Sequence, residues 1–322
     1  MLTRRHALIA GAAALVASRA QAQTFPSRPI TIVVPYPAGG PVDLLARLIA
    51  QEATGNLGQP ITVDNRGGGA GTIGTTLVAR AEPDGHTLVL GTNQTHATNQ
   101  SLLKEISYDG VKDFAPVIGI AETPHVLVVR KELGVTSVEE LIALAKQKPG
   151  ALNYGSTGNG SASHLCAELF KVKAGLQMQP VHFRGSAPML QELLGERLDL
   201  SFATLPTVIS QIDSGALPAL AVASAKRAIR LGGVPTLGES GIEGVEADAW
   251  FTLFAPAKTP PANVERLHAA IAAALKHDGP KAAIAQQGLT AALRSPAEVA
   301  ASLPTEVERW AAVIKAANIK SE

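Results

Sequence analysis

One cysteine in 322 residues leaves little room for sulfur chemistry. Cys166 has no second cysteine to pair with, so an intramolecular disulfide framework and any CxxC metal or redox motif are excluded. Its setting, SHLCAELF, reads as the apolar side of a helix, which suits a buried structural thiol. Aromatic residues make up 4% of the chain, too few for stacking on bases or sugars to be a theme. The 28 basic and 27 acidic residues nearly cancel, and no basic patch points to nucleic acid. No GxxxxGK[ST] phosphate loop, HExxH helix or GxSxG elbow occurs, and the eight histidines are scattered without ligand spacing. No metal and no cofactor is expected.

Long apolar runs are also missing. The longest, Ala7 to Ala17, falls short of the ~20 residues that a membrane span requires. It follows Arg4 and Arg5 and precedes the small-residue pattern Ala20-Gln21-Ala22, which together read as a secretory signal over residues 1–22. The twin arginine fits the Tat route, but Ala7 stands where a bulky apolar residue belongs, so Tat and Sec both stay open. Removing residues 1–22 takes away Arg4, Arg5 and Arg19 and no acid, which moves the formal charge from +1 to −2. A periplasmic protein is expected.

What is present is an alternation of β-branched runs with helical periodicity. PITIVVPY (29–36) precedes a helix from Pro41 to about Thr54, with Val42, Leu45, Ala46, Ile49 and Ala53 on one face. PITVDN (60–65), a helix over 72–81 and HTLVLGTN (86–93) complete a βαβαβ order, which implies a mostly parallel sheet with helices on both faces. The pattern restarts with HVLVVRK (125–131), a helix over 137–148 capped by Ser137, and LNYGS (152–156). Further strands are QPVHF, LDLSFAT and ALAVAS, with helices over 161–174, SAPMLQELLGE and LPTVISQIDSG between them. AWFTLFAPA (249–257) precedes two closing helical segments that have no strands of their own to cover, so they are expected to return to the first unit. The chain then divides into a first lobe (23–122), a second (123–248) and a return (249–322). Two crossings, near 118–126 and 245–255, leave a cleft that can hinge.

In an open α/β sheet, ligands sit beyond the carboxyl ends of strands. VVPYPAGGPVDLLAR (33–47) places Tyr36, Pro37, Ala38, Gly39 and Gly40 at such an end, before a helix whose first N–H groups lack partners. Pro41 suits the first helical position, and Asp43 can accept N–H bonds in the first turn, although its charge opposes an adjacent anion. A grip on a small carboxylate and a plain strand-to-helix turn both fit this stretch. STGNGSASHL (156–165) repeats the device, with Thr157, Gly158, Gly160, Ser161, Ser163 and His164 leading into a helix; for any one hydroxyl, simple N-capping is the plainer role. Two such loops, one per unit, suggest a clamp. GAGTIG (69–74) matches GxGxxG but follows the second strand of its unit, and no acid ends the next strand, so it carries little weight for a dinucleotide. Ser161 and His164 are near in sequence without an acid in an evident third role.

RPITIVVPYPAGGPVDLLAR, DNRGGGAGTIGTTLVARAEPDGHTLVLGTNQTHATN, YDGVKDFAPV, LNYGSTGNGSASHLCAELF and VPTLGESGIEGVEADAWFTLFAPAKTP occur in order across the chain. In these the sequence resembles the Bug-type periplasmic solute-binding proteins of tripartite tricarboxylate transporters. The resemblance implies an α/β, two-lobed periplasmic-binding-protein fold (Venus-flytrap, type II-like) with a hinged interdomain cleft that closes on a carboxylated solute. It further implies that Tyr36 to Gly40, with Asp43 behind them, hold one carboxylate through backbone groups and water. On the same resemblance, Thr157 to His164 add polar contacts, Thr92 and Asn93 line the cleft, and Thr204 helps to set selectivity. The family commonly shows Pro-Gly after its NR element and PYKG later; here Gly67 and Gly68 follow Arg66, and VHFRG puts Arg184 beside Phe183. Arg184 is either a ligand partner or a surface tether. The implied partners are a small carboxylate (dicarboxylate or tricarboxylate, amino acid or aromatic acid) and the membrane subunits of the transporter, with a monomeric, non-enzymatic receptor expected. A sensor module presenting solute to a signalling protein is the neighbouring alternative, and a periplasmic hydrolase using Ser161 and His164 the distant one.

Overall fold

The computed structural model describes residues 24–319, so the signal segment expected over 1–22 lies outside the described residues. Two mixed sheets carry the architecture. The first has the order β11-β4-β10-β3-β1-β2, built from β1 (Ile30–Val34), β2 (Ile61–Asn65), β3 (Thr87–Thr92), β4 (Phe114–Thr123), β10 (Ala249–Pro256) and β11 (Thr290–Ala291). The second has the order β7-β6-β8-β5-β9, built from β5 (His125–Val129), β6 (Asn153–Ser156), β7 (Gln179–His182), β8 (Leu200–Thr204) and β9 (Ala219–Ala223).

The expectation of mostly parallel sheets needs correcting. β1 runs parallel to β2 and β3, and β6 parallel to β7 and β8, but β10 is antiparallel to β3 and β4, and β5 to β8 and β9. The crossing topology forces this. β4 leaves the first sheet at the same end at which β1 and β3 finish, and only Pro124 separates it from β5. A strand entering a sheet from the end where its neighbours finish must run against them, and β5 and β10 each enter in this way. The carboxyl ends of β1, β3, β6, β7 and β8 therefore all face the gap between the sheets.

The first helix, α1 (Pro41–Leu57), extends one turn beyond the expected end and stops at Gly58, whose φ of 74° is the left-handed closure that glycine provides without strain. Its buried stripe, Val42, Leu45, Ala46, Ile49 and Ala53, packs on the first sheet with Leu267, Ile271 and Leu275 of a later helix. α2 (Thr72–Ala79) covers the opposite face, and a short α3 (Asn99–Leu102) follows a π-helical turn at Gln94–Thr98. In the second sheet, α4 (Val138–Gln147), α5 (Ala162–Ala174), α6 (Ser186–Leu194) and α7 (Leu205–Asp213) pack around the strands. Ser137 accepts the Glu140 N–H at 3.2 Å, the N-cap read in the sequence.

α8 (Pro261–Leu275) and α9 (Asp278–Gln286) return to the first sheet, but the last helix, α10 (Pro296–Ala316), serves both halves. Val299 and Leu303 pack against Val33, Val89 and Phe254 of the first sheet. Two turns later, Trp310 and Ile314 join the core of the second, among Leu127, Tyr154 and Phe202. No described helix is long and apolar enough to cross a membrane.

Candidate functional site

A cavity open to solvent lies between the sheets, at the strand carboxyl ends. Tyr36, Pro37, Ala38 and Gly40 line it from the loop after β1, followed by Pro41, Val42 and Asp43 at the start of α1. Thr92, Asn93 and Gln94 contribute the end of β3, with Ala249 and Phe251 of β10 beside them. From the second half come Thr157, Ser161 and Ala162 before and at the start of α5, Gly185 to Pro188 at the start of α6, Thr204 before α7, and His125. Four helix N-termini, one from the first half and three from the second, thus meet at one space. α1, α5 and α6 present first-turn backbone N–H groups with no carbonyl four residues behind them, whereas in α7 the Leu205 N–H already meets the Pro124 carbonyl at 3.2 Å and Pro206 has none, so that end brings chiefly the positive end of its helix dipole.

Among the described residues no lysine or arginine lines this cavity, and the one acid that does is already neutralised. Asp43, 3% exposed, accepts the Gly39 N–H and the Arg47 Nε at 3.0 Å each on one oxygen, and the Asn65 amide at 3.0 Å on the other. Burial alone would raise its pKa, but the Arg47 side chain, the Gly39 N–H and Asn65 outweigh burial and hold it below the usual carboxylate range. The charge that seemed to oppose an anion is therefore a brace. It fixes Gly39, whose φ of 86° requires a glycine, while Asn65 also holds the Tyr36 carbonyl at 3.2 Å. The Tyr36 hydroxyl pairs with Thr92 Oγ1 at 2.9 Å and donates to Gln94 Oε1 at 3.2 Å, and burial pushes its pKa up, so it stays a neutral donor.

The second loop is held without charge. Ser163 Oγ accepts the Thr157 N–H at 3.0 Å and shares hydrogen bonds with Thr157 Oγ1 at 3.2 Å and Ser161 Oγ at 2.9 Å. His164 Nδ1 accepts the Gly160 N–H at 3.0 Å, and burial pushes that imidazole down to about 3, with His182 and Lys171 adding repulsion. The Ser161 hydroxyl accepts the His164 backbone N–H at 3.3 Å as an N-cap, so the ring nitrogen that a hydrolytic serine would need is turned to Gly160 instead.

The halves are in contact. Gln94 Nε2 donates to the Asn159 carbonyl at 3.3 Å, and Thr98 Oγ1 to the Gly160 carbonyl at 2.8 Å. A Cβ on Gly185 would stand 3.4 Å from the Pro37 ring across the mouth, at a φ of 114° that only glycine adopts readily.

Of the residues singled out in the sequence, Tyr36, Pro37, Ala38, Gly40, Asp43, Thr92, Asn93, Thr157, Ser161 and Thr204 fall on the wall. Gly39, Gly158, Gly160, Ser163 and His164 stand behind it, shaping the two loops. Arg184 is exposed and does not line the cavity. The sequence reading passed over Gln94, His125 and the stretch Gly185 to Pro188. That last stretch follows a strand and opens a helix, the same signal that marked the other two loops.

Helix termini from two lobes aimed at a shared cleft, with the chain passing between the lobes at Pro124 and again between β9 and β10, define a two-lobed α/β solute-binding protein. The tripartite tricarboxylate transporter family receptor matches residues 45–319, and the chain belongs to that family of solute-binding receptors. Among solved structures it is similar to an R. palustris protein with adipate, at 40% identity and a TM-score of 0.89, covering 92% of this chain and 100% of that one. It is also similar to the periplasmic binding protein BugD (33%, TM-score 0.87, 92% and 100% covered). MatC from Rhodopseudomonas palustris with bound malate is similar too (33%, TM-score 0.86, 90% and 100% covered).

Proposed function

We propose that the cleft captures a small carboxylate, with a dicarboxylate as the class favoured, and that closure of the two lobes presents it to the membrane subunits of a tripartite tricarboxylate-type transporter. The observation that carries this reading is the convergence of four helix N-termini on a cavity with no lysine or arginine among its described lining residues. Backbone N–H groups and helix dipoles favour an anion there, and a carboxylate has the geometry to take several such donors. Family members solved with adipate and with malate support the same class.

On this reading the first lobe comprises residues 23–122 and 249–322 and the second 123–248, with the end of α10 at Trp310 and Ile314 reaching across into the core of the second. The wall residues Tyr36, Pro37, Ala38, Gly40, Thr92, Asn93, Thr157, Ser161 and Thr204 meet the solute, while Gly39, Ser163, His164 and Asp43, itself also on the wall, set the shape of the loops that do so. The protein acts in the periplasm as a monomer after export by residues 1–22, and it turns nothing over.

Thermal unfolding against a panel of dicarboxylates, monocarboxylates, amino acids, aromatic acids and their amides tests the proposal. A solute at 100 times its dissociation constant adds about 2.7 kcal/mol to the folded state. Acids that raise the transition where their amides do not are the expected result. No shift with any acid, before and after unfolding and refolding to release resident solute, overturns it.

A further inference from the structure

His125 is the one imidazole on the cavity wall among the described residues. It opens β5 immediately after the crossing at Pro124, is 2% exposed, and has Thr204 of β8 and Ala223 of β9 as its strand neighbours. Its Nδ1 is hydrogen-bonded to the carbonyl of Ala247, on the segment that carries the chain back to the first sheet. A carbonyl oxygen only accepts, so the proton sits on Nδ1 and the neutral ring keeps its lone pair on Nε2. Nε2 has no hydrogen-bond partner among the described residues and is left to the cavity.

The charges around the ring do not settle its state. Its strand neighbours Thr204 and Ala223 are uncharged. On the returning segment Glu246 and Asp248 flank Ala247, and Asp248 takes a hydrogen bond from Ser224 at 3.1 Å. Glu122 stands near the end of β4, and across the cavity Asp43 is spent on Arg47 and Tyr36 is a neutral phenol. Burial, opposed by the Ala247 hydrogen bond, pushes the ring down to about 4, so it is neutral while the cleft is empty.

A diacid presents this cavity with a problem of balance. Helix N-termini provide donors for one carboxylate, but no lysine or arginine meets a second negative charge. At Nε2 an incoming carboxylate would face a lone pair, acceptor against acceptor. One proton on Nε2 removes both faults, because it supplies a positive charge and turns the contact into a charge-assisted hydrogen bond. We propose that His125 reads the distal carboxylate of a diacid and takes up a proton from solution as the solute binds. This assignment rests on the carboxylate reading above and deepens it, since a monoacid offers Nε2 nothing to draw a proton for.

Calorimetric titration in buffers of different ionisation enthalpy counts the proton directly, at about pH 6.5 and above, with adipate and malate as dianions and hexanoate as the monoacid. The expected result is about one proton taken up per diacid and none per hexanoate, with diacid affinity falling by up to about tenfold per pH unit as pH rises. His125→Gln keeps an amide donor at the Nε2 position and cannot titrate. It should bind diacid with no proton uptake and lose the pH dependence. Diacid binding without proton uptake by the unaltered protein overturns the assignment, as does uptake that survives in His125→Gln. Should that variant fail to fold, the proton count on the unaltered protein decides alone. If no acid binds, the carboxylate reading itself falls and this assignment with it, an outcome separate from binding without a proton.

Discussion

The two cradles that face each other across the cleft are built on one plan and braced by opposite chemistry. In the first, a charged Asp43 collects Gly39, Arg47 and Asn65, and half of the pair is wet: the Arg47 side chain is 55% exposed. In the second, Ser163 and His164 hold Thr157 and Gly160 with neutral groups sealed inside the lobe. The same task, fixing a glycine-containing loop before a helix, is met by an ionic anchor near the surface and by a hydroxyl–imidazole network in the interior. A charge works where solvent can share its partner, whereas deep burial favours groups that need no counter-ion.

Acid should separate the two most strongly. His96, His125 and His164 are pushed by burial to about 3, 4 and 3, so each binds fewer protons folded than unfolded from there up to ~6.5. Stability therefore falls as pH drops below ~6.5, by up to about 4 kcal/mol per pH unit if all three contribute fully. Asp43, with its pKa lowered, stabilises above ~4 and loses its contribution only as pH falls through the lowered value. Urea unfolding of the solute-free protein between about pH 4.5 and 7.5 measures the slope. His164→Asn, which keeps an acceptor for Gly160 and cannot titrate, should reduce it by about one proton; an unchanged slope would remove His164 from this account.

Asp43→Asn attacks the charged brace alone. The new amide turns an acceptor into a donor facing either Asn65 or Arg47, at about 2 to 3 kcal/mol in stability and at least ~tenfold in solute affinity. Thermal melts and titration with the solute found by the panel check both figures, and near-unchanged binding would show that the first loop holds its shape without the carboxylate. Ser163→Ala is the smaller test. It leaves the Thr157 N–H without its acceptor, for about 1 kcal/mol and ~fivefold in affinity. A larger loss than for Asp43→Asn would reverse the ranking of the two braces.

Elements with a strong period were legible in sequence, and direction was not. The helix over Pro41–Leu57 and the strand Ile30–Val34 are written in their apolar spacing, but nothing in AWFTLFAPA, a segment expected to return from the second unit, says that it runs against β3. β4 escaped notice because Pro116 and Gly119 interrupt its apolar run. The loops at Tyr36 and Thr157 were found because a glycine-rich turn between strand and helix is a local signal. His125 carries no such signal: it stands on the wall at the start of β5, with its Nδ1–H donating to the carbonyl of Ala247, 122 residues away. Trp310 in the second core is of the same kind, a contact set by topology rather than by neighbours in sequence.

On the reading proposed above, the absence of lysine and arginine among the described residues of the cavity wall also governs how a captured solute leaves. An arginine would belong to one lobe and would keep its ion pair with the solute after the lobes part, which makes for slow departure. Helix ends contributed by both lobes surround the solute only while the lobes are together, and water reaches every donor as soon as they separate. On that reading the backbone groups that retain the solute in the closed form are the ones that opening returns to water, and with a diacid the His125 contact stays with one lobe.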